Sequence, residues 1–93
     1  MGVTPLMAQY FFDVINSFGL VEDLEGQELR DISAARLVAI EAVRSIIRDD
    51  VTVGLVDLVG RVEVRDADRQ LLVAIPFSDA VELRGADAVR AAP

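Results

Sequence analysis

I-S-A-A-R-L-V-A-I-E-A-V-R-S-I-I-R-D-D-V, residues 32–51, decides the fold. At about 100° per residue, Ala35, Ala39, Ile40, Ala42, Val43, Ile46 and Ile47 gather on one side. Glu41, Arg44, Ser45, Arg48 and Asp49 gather on the other. That is an amphipathic surface helix with one face on a core. Asp31 or Ser33 can cap its first turn, and with Ser33 as the cap Ile32 and Leu37 would form a hydrophobic staple. Gly54 is a fitting stop.

Strand signals flank the helix. Upstream, Y-F-F-D-V-I-N at 10–16 is aromatic and β-branched. An acidic stretch at 17–31 contains Gly19 and Gly26, and it reads as a turn followed by a short strand near 27–29. Downstream, residues 55–59 form an apolar linker. In R-V-E-V-R, 61–65, Val62 and Val64 then alternate with charge. Asp66-Ala67-Asp68-Arg69 is turn chemistry, and Q-L-L-V-A-I-P-F at 70–77 is the returning strand. Pro76 places its end at an edge or terminus, and residues 79–84 could add a last short strand. The order strand, strand, helix, strand, strand predicts a small α+β domain. Its antiparallel sheet carries one helix on one face. Residues 1–8 read as a flexible leader, 9–84 as the single domain and 85–93 as a disordered tail. Met7 offers an alternative start.

Composition narrows the chemistry. The 93 residues include no cysteine, histidine, lysine or tryptophan, and nine arginines face sixteen acids, for a net charge of −7. Disulfides, thiolate nucleophiles and Zn–thiolate sites are excluded. The commonest general base is missing, and so is any Schiff-base lysine. Serine lacks a partner to activate it. No enzyme and no cofactor is expected. The acidic balance disfavours non-specific nucleic-acid binding and anionic membranes. With no cysteine and no export signal in the opening M-G-V-T-P-L-M-A-Q-Y, a cytoplasmic, bacterial-type setting is expected.

Several side chains invite a functional reading. Glu22, Asp23, Glu25 and Glu28 offer oxygen ligands for a hard cation, but their spacing misses the calcium-loop pattern, so a solvated loop is the better reading. Asp66 and Asp68 sit where a hairpin must turn. Asp13 shares a strand face with Phe11 and Ile15, where an arginine partner is more ordinary than acid–base work. Arg36, Arg44 and Arg48 are the nearest thing to a basic patch, and they carry the alternative reading of a small regulator touching nucleic acid through the helix.

The leading expectation comes from a mismatch. Tyr10, Phe12 and Val14 line one side of the first strand and Phe11 and Ile15 the other, while Leu71, Val73, Ile75 and Phe77 are opposed by Leu72 and Ala74. One helix covers one sheet face. Either the leader and the 55–59 linker fold over the second face, or a partner does. The expected function is a non-enzymatic interaction module that self-associates as a homodimer. Phe11, Ile15, Leu72 and Ala74 would form its interaction face.

Y-F-F-D at 10–13, D-x-E-G-x-E-L at 23–29, D-x-x-A-A-R at 31–36, G-R-V-E-V-R-D at 60–66 and I-P-F-S-D-A-V at 75–81 occur in this order. Together they resemble a family of short bacterial proteins, common in alphaproteobacteria, known as a domain of unknown function. The resemblance spans roughly 10–83 and implies a compact domain with no assigned activity or catalytic residues. One departure is Arg69, where relatives typically carry glycine in a D-x-D-G turn.

Overall fold

The computed structural model describes residues 7–85. Strand β1 (Ala8–Asn16) is followed by β2 (Gly19–Val21), β3 (Gln27–Leu29), helix α1 (Ile32–Val53), β4 (Gly60–Arg65), β5 (Leu71–Pro76) and a short 3-10 turn (Phe77–Asp79). The sheet is antiparallel and open, in the order β2-β1-β4-β5, with β3 also on β1. The α+β architecture with one packed helix is therefore as the periodicities predict. The second strand, β2, is an addition. Ser17 and Phe18 make the tight turn after Asn16, whose side chain accepts the Phe18 N–H at 2.8 Å, and Gly19 opens β2 at φ 136°.

Hydrophobic spacing places the helix. Ala35, Ala39 and Val43, each four residues apart, are fully buried against Val62, Val64, Ile75 and Tyr10. Two alanines let the helix axis come close to the sheet, while Ile40, Ile46 and Ile47 flank the seam. Asp31, not Ser33, is the cap, accepting the Ala34 N–H at 2.9 Å. The staple expected for Ser33 is not made, and Leu37 is exposed. At the other end Gly54, at φ 82°, returns its N–H to Asp50 and Val51.

Two expectations need correcting. Residues 79–84 form no strand. Phe77 and Ala80 turn inward instead and are buried in the core, and the Ala80 carbonyl accepts from Arg44 Nε at 2.8 Å. Nor does the 55–59 linker cover the second sheet face. Asp57 N–H donates to Asp50 at 3.1 Å, and the Asp57 carboxyl sits beside Ser17, so the linker crosses the end of the sheet. The leader through residue 6 and the tail from 86 lie outside the described residues.

Candidate functional site: the outer sheet face

Alternation along β1, β4 and β5 sends one set of side chains to the helix and the other set outward. The outward set on β4 is Arg61, Glu63 and Arg65, registered against Ile15, Asp13 and Phe11 of β1. Asp13 and Glu63 therefore stand side by side at the centre of the face, and both are buried. Two adjacent carboxylates need compensation. Arginines supply it from both sides. Arg65 reaches Glu63 at 2.6 Å and Asp13 at 3.3 Å, and Arg61 reaches Glu63 at 2.9 Å. Arg69, from the β4–β5 turn, pairs with Asp13, and lies 3.2 Å from Glu22. No buried side-chain N or O is left without a hydrogen bond among the described residues.

The pairing shifts the groups as charge chemistry requires. Glu63 is held below its ordinary value of 4.5, first by its hydrogen bond from Arg65, which outweighs burial, and then by Arg61. Arg65 is raised, chiefly by the same bond to Glu63.

The acidic loop between β2 and β3 belongs to this network. Asp23 accepts Phe12 N–H at 3.0 Å and the N–H groups of Glu25 and Gly26 at 3.1 Å each. Its own N–H donates to Asp13 at 2.9 Å. Burial raises the Asp23 pKa, but the amides of Gly26, Phe12 and Glu25, with Arg69 nearby, outweigh it and hold the carboxyl below 3.8. Gly26 is confined as well. At φ 71°, a Cβ there would lie 2.8 Å from the Phe11 ring and from the Gln9 side chain. The Phe11 ring also receives the Arg69 guanidinium, 5.4 Å from the ring centre.

The turn between β4 and β5 forms as its residues predict. Asp66 accepts the N–H groups of Asp68 and Gln70 at 2.9 Å each. Arg69 occupies φ 66°, the left-handed region that glycine enters at no steric cost.

Phe11, Ile15, Leu72 and Ala74 do share the outer face, but the charged row runs between them. Phe11 and Ile15 are half-buried, while Leu72 and Ala74 are exposed on β5. Arg61, Arg65 and Arg69 pair with the two acids at the centre of the face. The helix arginines Arg36, Arg44 and Arg48 are all exposed, and Arg44 also donates to the Ala80 carbonyl and pairs with Glu41 at 3.3 Å. The four acids of the loop do not converge, and among the described residues no group of three or more His, Cys, Asp or Glu side chains is placed to hold a metal ion. No helix there is long and apolar enough to cross a membrane.

Asp23 as the hub of the loop, and Arg65 and Arg69 as partners of Asp13, were not singled out from the sequence. The available signal was Asp13 itself, a carboxylate on an apolar strand opposite the alternating charges of R-V-E-V-R.

These features define a small open-sheet α+β domain whose ionisable cluster is neutralised internally. The chain belongs to the family described as Domain of unknown function (DUF6894), whose model matches residues 9–78. No curated protein and no solved structure matches it.

Proposed function

We propose that this protein is a non-enzymatic interaction module that self-associates through the β5 edge, extending one sheet across two copies. The observation that carries the reading is the composition of that edge. Among the described residues β5 is the outermost strand, and Leu71–Pro76 contains no charged side chain. Natural sheets usually blunt an open edge with lysine, a bulge or a short strand. Here a register shift at Val64/Arg65 and Pro76 lie only at the two ends of the pairing. Leu71 and Leu72 are 49% and 43% exposed, and they give the edge apolar side chains to bury. An antiparallel pairing of β5 with itself is two-fold symmetric, the commonest symmetry of homodimers. It brings Leu72 and Ala74 of both copies to the seam.

The non-enzymatic part is supported by how the ionisable groups are used. Asp13, Asp23 and Glu63 spend their oxygens on arginines and backbone N–H groups. The bacterial cytoplasm remains the setting expected from the residue usage.

Light scattering across a dilution series tests the proposal. A concentration-dependent dimer of the 10.1 kDa chain is expected. Ala74→Lys sets like charges across the seam and should yield monomer with unchanged helical circular dichroism. A wild-type chain that stays monomeric at high concentration overturns self-association. Dissociation by Phe11→Asp but not by Ala74→Lys would move the interface to the outer face.

A further inference from the structure

The opposite edge differs in kind. β2 pairs Val14–Asn16 of β1, and β3 pairs Ala8–Tyr10. The loop between them crosses beside Phe12, whose N–H it takes through Asp23. β2, loop and β3 thus form one interrupted edge, and its middle is pinned. Its apolar side chains stand in solvent: Leu20 at 61%, Val21 at 64% and Leu24 at 81% exposed. Between residues 17 and 29 there are four carboxylates (Glu22, Asp23, Glu25, Glu28) and no basic residue. Phe11, Glu22, Asp23, Leu24 and Arg69 line a shallow hollow of about 260 Å³ beside this edge.

We infer that the β2–β3 edge docks a basic, extended segment of a partner protein as an added strand. Strand addition draws affinity from backbone hydrogen bonds and specificity from alternate side chains. The open backbone of β2 supplies the first. Leu20 on the outer face and the Leu24 hollow supply apolar contacts, while Glu25 and Glu28, both exposed, call for arginine or lysine on the incoming strand. Charge complementarity chooses this occupant over a second copy. The same edge of another copy brings the same acids, and β5 brings no countercharge. The pinned loop also lowers the ordering cost of binding. This inference uses the edge opposite β5, so it stands or falls separately from self-association.

The test is fluorescence anisotropy on the full chain with a labelled peptide alternating arginine and valine. The expected result is binding that weakens about tenfold in Leu20→Ser/Leu24→Ser and also weakens in Glu25→Gln/Glu28→Gln. Glu41→Gln/Glu82→Gln makes the same charge change away from the edge and should leave affinity unchanged. Amide shifts on peptide addition should fall on β2 and β3. No binding at low salt overturns the proposal. So does equal binding of an arginine–serine peptide, or equal weakening by the Glu41/Glu82 pair, either of which marks diffuse electrostatic attraction to an acidic chain.

Discussion

The two edges of this sheet are built from opposite materials. β5 is six uncharged residues in one strand, with a register shift at its start and Pro76 at its end, whereas the β2–β3 edge is two three-residue strands around an acidic loop. The difference shows how one short sheet can manage both of its edges. An uncharged edge tolerates its own copy, and a single-sign edge repels it and selects a partner of the other sign. Both edges are tied to one buried group. Asp13 accepts the Asp23 N–H of the acidic loop and receives Arg69 from the turn that opens β5.

Removing that tie should have the largest effect. Asp13→Ala leaves Arg65 and Arg69 without their shared carboxylate and the Asp23 N–H without its acceptor. A loss of about 3 kcal/mol is expected, because deleting one partner strands the others. Urea denaturation measures it, and hydrogen exchange should quicken in both β2 and β5. Acceleration at one edge only would break the claim that Asp13 serves both.

Gly26→Ala separates the edges. The added methyl meets the Phe11 ring and Gln9 at 2.8 Å, in a backbone conformation that disfavours alanine. About 1–3 kcal/mol should be lost. Exchange should rise across residues 22–29, with β5 protected as before. Uniform acceleration would show that the acidic edge has no separate stability.

Acid sharpens the contrast further. Asp23 and Glu63 both titrate below their ordinary values of 3.8 and 4.5 in the folded chain. A depressed folded value means that ionisation favours the fold. The contribution is complete above the unfolded values and disappears as pH falls through the folded ones. Stability should therefore be level from neutrality to about pH 5 and decline below it. Asp23→Asn should remove part of that decline, and exchange at the acidic edge should become less sensitive to acid. An unchanged acid limb would count against the role given to Asp23.

These expectations also locate what was readable in the chain. The helix was legible because Ala35, Ala39 and Val43 repeat at one turn's spacing, a local pattern that tertiary packing reinforces. Val62 and Val64 were legible for the same reason at period two. β2 was not, because three residues carry too little periodicity and its glycine reads equally as a loop. The last segment is not legible either, because 79–84 resembles a strand locally, while Phe77 and Ala80 are drawn into a core assembled from distant residues. The outer face was half legible. Alternation correctly put Phe11, Ile15, Leu72 and Ala74 on one side. Arg69, though, reaches Asp13 across 56 positions, and no local pattern announces a contact that far along the chain.

Arg69 gives the smallest expected effect and the finest test. A non-glycine residue at φ 66° costs about 1–2 kcal/mol. Its side chain offsets this through Asp13, Glu22 and the Phe11 ring. Arg69→Gly should therefore change stability by less than about 1 kcal/mol, since charge-assisted hydrogen bonds of a half-exposed arginine are of similar size to the strain. The cancellation depends on Asp13. In an Asp13→Asn background the side chain loses its main partner and the backbone cost remains, so Arg69→Gly should there stabilise by about 1 kcal/mol. A double-mutant cycle measures the difference directly. Additive effects would mean that Arg69 is held by the turn alone, and that the buried carboxylate ties down only the acidic edge.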